Sequence, residues 1–166
     1  MYDWEVKDDG LRTWVRLRQA YEALDRLLET NLGRRGATLA QVDVLMILSA
    51  SKEALTPGEI AKYTFRQQHS ASAQLSRMAE AGLVSKERQV YDERVVKINI
   101  EPAGQELLKA SIPVGPGEAS TLLKSCLSGD EMRELDKLLK KVRDCALQQS
   151  RMQAEPLPPT IDVSVW

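Results

Sequence analysis

Between Glu59 and Glu80 the chain has no carboxylate side chain, and within that stretch Gln68, His69, Ser70, Ser72 and Gln74 crowd together, followed by Arg77. A glutamine amide offers donor and acceptor side by side, the pair that an adenine edge takes, and a serine hydroxyl can serve several bases or a phosphate. A carboxylate among them would repel a phosphate backbone, so its absence here bears on polyanion binding more than the overall charge does. Further along, Lys86 and Arg88 supply cations, and Asp92 stands two residues before Arg94. At that spacing the carboxylate can hold the guanidinium by a charge-assisted pair and aim it. An arginine presented in this way suits a minor groove, whose potential is strongly negative. Two plainer readings stay open: a solvated polar helix face, and a hairpin ion pair worth under about 1 kcal/mol.

The elements that would have to position these residues follow from periodicity and punctuation. Leu11, Trp14, Leu17, Tyr21, Leu24 and Leu28 recur at three- and four-residue steps, which predicts a first helix over about 10–32 with a wide apolar stripe, stopped by Gly33 and Gly36. Thr38 with Gln41 reads as a capping box and opens a second helix whose Val42, Leu45, Met46 and Leu48 face the core. Thr56 with Glu59 repeats the device, with Pro57 at the first helical position, and predicts a short third helix ending near Tyr63. A fourth helix over about 67–81 buries Ala71, Leu75 and Met78 and stops at Gly82. Leu83 and Val84 then enter a strand, and Val95, Ile98 and Ile100 form a second, with Lys97 and Asn99 facing out. Pro102 opens another helix; Pro113, Gly115, Pro116 and Gly117 interrupt it, and helical pattern resumes at about Glu118. Ser128 with Glu131 is a third capping box, opening a helix with Met132, Leu135, Leu138, Leu139 and Val142 on one face. Residues 151–166 read as an extended tail whose alternating Ile161, Val163 and Val165 can dock on a partner.

Helix, turn, helix and hairpin in this order make a winged helix-turn-helix, which sets one helix in a DNA groove and the hairpin beside it. The expected fold is mainly α with a small two- or three-stranded wing, joined to a helical dimerisation region. Residues 37–101 form the winged lobe, 1–36 and 102–150 the dimerisation region, and 151–166 the tail.

Composition excludes several other classes. The formal net charge is −1, so a basic surface has to be local. No apolar run approaches the length of about 18 residues that a membrane span needs. The acidic start Met1-Tyr2-Asp3-Trp4-Glu5 lacks the regions of a signal peptide, which predicts a cytoplasmic protein. His69 is the only histidine, Cys126 and Cys145 are the only cysteines, and there is no Gly-rich phosphate loop. We therefore expect no metal, no cofactor and no enzymatic activity. Each cysteine reads as a small buried hydrophobe, with redox sensing as the alternative.

Several stretches at consistent spacing resemble the MarR family of transcriptional regulators. Leu55-Thr56-Pro57-Gly58-Glu59-Ile60-Ala61 resembles the family's entry to the helix-turn-helix. Arg77-Met78 and Gly82-Leu83-Val84 stand where the family has an Arg-Leu pair and a Gly-Leu-Val turn into the wing. Asp92-Glu93-Arg94 falls on its Asp-x-Arg signature, and Ile100-Glu101-Pro102-Ala103-Gly104 on its exit from the wing. The departures are Thr64-Phe65-Arg66 in place of an apolar-Gly-apolar turn, Gln67 at the cap, Ala73 where arginine is frequent, and the Pro/Gly interruption at 113–117. The resemblance implies a homodimeric DNA-binding repressor on a pseudo-palindromic operator, released by a small aromatic effector. It implies that Trp14, Tyr21 and Met46 line the effector cavity between the dimer helices and the winged lobe. A winged-helix module that binds a protein in place of DNA is the alternative.

Overall fold

The computed structural model describes residues 5–51, 53–88 and 95–149. In chain order it contains α1 (Asp9–Gly33), α2 (Leu39–Ala50), α3 (Pro57–Tyr63), α4 (Gln68–Glu80), β1 (Val84–Arg88), β2 (Val96–Ile100), α5 (Pro102–Ser111), α6 (Pro116–Cys126) and α7 (Gly129–Gln149). Local chemistry accounts for the boundaries. The Asp8 carboxylate accepts from the Leu11 amide and starts α1. Thr38 with Gln41, and Thr56 with Glu59, close reciprocal capping boxes on α2 and α3. Ser128 and Glu131 do the same before α7. Gly82, at φ 71°, turns the chain from α4 into β1, a conformation that costs a Cβ-bearing residue.

One core holds the lobe together. Leu32 of α1, Val42 and Leu45 of α2, Ile60 of α3, Leu75 and Met78 of α4, Ile98 of β2 and Leu108 of α5 pack in a single buried cluster. β1 and β2 pair antiparallel, with Lys86 opposite Ile98, and Leu55 adds an isolated bridge to Ile98. The wing root is therefore three-stranded at one point. Lys97 does not simply face out, since its ammonium lies 3.5 Å from the Glu59 carboxylate and ties β2 to α3. Gly104 lets α5 cross close beneath the turn into the wing: a Cβ there would stand 2.2 Å from the Leu83 carbonyl oxygen.

The helical interruption falls where Pro113 and Gly115 require it, between Ser111 and Pro116. The next helix begins two residues before the expected Glu118, because Pro116 can occupy a first-turn position without losing a hydrogen bond. The stripe on α1 divides. Leu28 and Leu32 are buried, whereas Leu11, Trp14, Leu17 and Tyr21 are exposed. On α7, Leu135, Leu138, Leu139 and Val142 are exposed as well. Cys126 and Cys145 are exposed free thiols, so the expectation of two small buried hydrophobes is wrong.

Candidate nucleic-acid interface

The fourth helix is amphipathic in a particular way. Ala71, Leu75 and Met78 are buried, as their spacing predicts, and Leu75 and Met78 join the core cluster with residues of α2, α3 and the wing. Gln68, His69 and Ser70, in the first turn, are exposed, and Ser72 is half-buried. Gln67 caps the helix without a side-chain hydrogen bond. The first-turn amides therefore keep their capacity to donate outward, at the end where the helix dipole is positive. Arg77 is exposed in the last turn.

Gln74 has to be removed from this surface. It is only 6% exposed, and its amide donates to the Ala40 carbonyl at the start of α2. It lies three residues after Ala71 and four before Met78, on the inner face. A base edge would have to compete with that buried hydrogen bond, so Gln74 is a packing residue.

The hairpin lies against the helix and does not fold away from it. The Leu83 amide donates to the Met78 carbonyl, and the Lys86 ammonium donates to the Ser76 hydroxyl at 2.8 Å. Sequence reasoning read Lys86 as a wing cation and missed that bond, which ties β1 to α4. Arg88 is exposed at the outer end of β1. Asp92 and Arg94, expected at the tip of the wing, lie outside the described residues, as does the tail 151–166.

The three residues expected to line an effector cavity are spread apart in exposure. Trp14 is 55% exposed with the Arg18 guanidinium 5.9 Å from its ring centre, Tyr21 is 62% exposed, and Met46 packs against the core. Near Tyr21 the structure brings together charges that the sequence did not reveal. Burial pushes the Tyr21 hydroxyl above its ordinary pKa, reinforced by Asp25, to which it is hydrogen-bonded. Asp43 on α2 is also pushed up, first by burial, then by Asp25 and Glu29, against the pull of Arg66. Among the described residues no group of histidines, cysteines and carboxylates is arranged to hold a metal ion, and no helix is long and apolar enough to cross a membrane.

The comparisons with known proteins agree with this geometry. Residues 35–95 match the MarR family model. No curated protein sequence matches the chain. Among solved structures, a cysteine-to-serine mutant of MarR from E. coli, complexed with operator DNA, shares 26% identity at a TM-score of 0.72, over 83% of this chain and 99% of that one. The MepR–DNA complex of S. aureus gives 23% identity and a TM-score of 0.74, over 79% of this chain and 96% of that one. The organohalide-sensing regulator RdhR-CbdbA1625, bound to 2,4-dichlorophenol, gives 20% identity and a TM-score of 0.84, over 98% and 96%. The family model lies on the lobe that carries the site, and the solved structures share the fold around it, so the winged helix-turn-helix of this chain is similar to that of the MarR family, whose members are transcriptional regulators and not enzymes.

Proposed function

We propose that the chain acts as a homodimeric, operator-binding repressor that a small aromatic molecule releases. The observation that carries DNA binding is the exposed, carboxylate-free start of α4 with the hairpin set beside it. In that arrangement Gln68, His69, Ser70 and Ser72 read base edges in the major groove, while Arg77, Lys86 and Arg88 serve phosphates. Arg94, aimed by Asp92, enters the minor groove. The solved complexes of MarR and MepR with DNA support the reading by their shared fold.

The dimer is supported by the exposed leucines and aromatics of α1 and α7, apolar surface of the kind that self-association covers. A second chain closing over α1 would enclose Trp14 and Tyr21 and bring them toward Met46 as an effector site. The dichlorophenol-bound relative supports an aromatic ligand. Release then follows from the effector's preference for one lobe spacing over the other, and can be no larger than that preference.

The test is a mobility shift with DNA from upstream of the protein's own gene, repeated over a range of salt. Phosphate contact requires affinity to fall steeply as salt rises. A flat response, or no shift, favours the protein-binding alternative that the net charge of −1 permits. Arg94→Ala should weaken binding by roughly 1–3 kcal/mol while leaving helicity intact. Unchanged binding would take the wing out of the mechanism.

A further inference from the structure

The break between α5 and α6 has no task in the proposed function, and it falls on the edge of the core. Leu108 and Ile112 are buried and Val114 packs on the same cluster, whereas α6 has no buried residue of its own. α6 packs instead on α1 and α7. An unbroken helix would carry this crossing on a ladder of amides, but Pro113 and Pro116 have no N–H to give to the Lys109 and Ile112 carbonyls. The Gly115 amide donates to the Ser111 carbonyl at 2.9 Å. The Gly117 amide, one residue farther than a regular helix would use, donates to the Ile112 carbonyl at 2.8 Å. α1 closes the joint from the side. A Cβ at Gly115 would stand 3.1 Å from the Leu32 side chain, so the two elements are in close contact. Asn31 Nδ2 donates to Glu118 Oε2, in the first turn of α6, at 2.7 Å. Beside the joint the Ser111 hydroxyl is wholly buried and has no hydrogen-bond partner among the described residues, which narrows the advantage of this arrangement over a looser one.

We propose that residues 113–117 are a hinge between the winged lobe and α6–α7, and that the Asn31–Glu118 bond is the latch that keeps it shut. The lobe side is stiff, because Leu32, Leu108 and Ile112 share one core and Asn31 stands next to Leu32. The far side carries the exposed leucines of α7, the surface that the proposed dimer covers. With the latch made, the lobe stands at one angle to that surface. With it broken, two backbone hydrogen bonds and an apolar contact remain, and the lobe turns about the prolines. A half-buried carboxylate that loses its donor costs more than a neutral group would, which gives this single bond its weight. In a dimer the hinge sets how far apart the two recognition helices stand. That last step rests on the proposed function; the hinge itself does not.

Hydrogen exchange on the full chain tests the hinge without DNA. Asn31→Ala should speed exchange of the Gly115 and Gly117 amides roughly tenfold, and Asn31→Asp at least as much, since it sets two carboxylates face to face. Pairing Asn31→Asp with Glu118→Gln rebuilds the bond in reverse, amide to carboxylate, and should return the slow rate. The amides of Leu122 and Leu123 in α6, and of Leu45 and Leu75 in the lobe, should keep their protection throughout. Unchanged exchange at Gly115 and Gly117 would overturn the latch, and faster exchange through α6 and the lobe alike would replace a hinge with general loosening. A second measurement tests the spacing. The duplex bound upstream of the protein's own gene is compared with copies that have one base pair added or removed between the half-sites. The unaltered chain should lose affinity on the altered copies, and Asn31→Ala should lose less, by a factor no larger than that seen in exchange. An equal loss in both would overturn the hinge's part in spacing. If the unaltered chain binds no duplex, the DNA-binding reading falls, while the exchange pattern still decides the hinge.

Discussion

At Gln74 helical spacing and residue type point in opposite directions. Its amide suits a base edge, yet its place between Ala71 and Met78 assigns it to the buried face, and the structure follows the spacing. The signal was in the sequence: the period that buries Ala71, Leu75 and Met78 buries Gln74 with them. Gln74→Ala should cost roughly 1–3 kcal/mol of stability, because a buried side chain and its hydrogen bond between α4 and α2 are both lost, measured by denaturant unfolding. DNA affinity per folded molecule should not change, and a specific loss of affinity would return Gln74 to the interface. Ser111 makes the opposite case. Its hydroxyl is buried without a hydrogen-bond partner among the described residues, so Ser111→Ala should raise stability by about 1 kcal/mol. The Asp43 and Arg66 neighbourhood was not legible. It joins α2 to the turn before α4, and no local pattern announces which charges a fold will bring together.

Among the elements, boundaries were legible wherever a side chain caps a helix or a ring forbids one. Thr38 with Gln41, Thr56 with Glu59, Ser128 with Glu131, and the 113–117 interruption all fall close to where sequence places them. What sequence could not show is how the wing is braced. Three ties do this: Lys86 to Ser76, Lys97 to Glu59, and the crossing at Gly104. Gly104→Ala should lower stability by roughly 1–3 kcal/mol, because the new methyl meets backbone that cannot yield as a flexible side chain would. Loss of protection at the Val84 and Glu101 amides in hydrogen exchange would locate the damage, and an unperturbed protein would show that α5 can slide. Glu59 gives a pH dependence. The Thr56 amide hydrogen bond lowers its pKa most, the Thr56 hydroxyl and Lys97 add to the effect, and burial opposes them. An acid with a lower pKa folded than unfolded contributes stability that is complete above its ordinary 4.5 and is lost as pH falls through the folded value. The unaltered chain should therefore lose stability below pH 4.5 more steeply than Glu59→Gln. Parallel unfolding curves for the two would mean that the bond does not survive in solution.

For the whole molecule, the apolar pattern of α1 and α7 was readable as amphipathic, but not which part of it one chain could bury. Leu28 and Leu32 find a core; Leu11, Leu17, Leu138 and Val142 do not. Leu138→Glu with Val142→Glu should shift the protein to monomer in sedimentation while the winged lobe keeps its helicity. An unchanged dimer would move the interface elsewhere, and a chain already monomeric before substitution would remove the dimer from the proposal. The inward turn of Gln74 also bears on how such a protein finds its address in a genome. Few outward groups remain on the first turns of α4, so under the proposed function a single half-site would carry little information and recur by chance. In the proposed dimer, two copies held at a fixed separation would multiply those chances into a rare coincidence, and the spacing between half-sites would then be as much a part of the message as the letters within them.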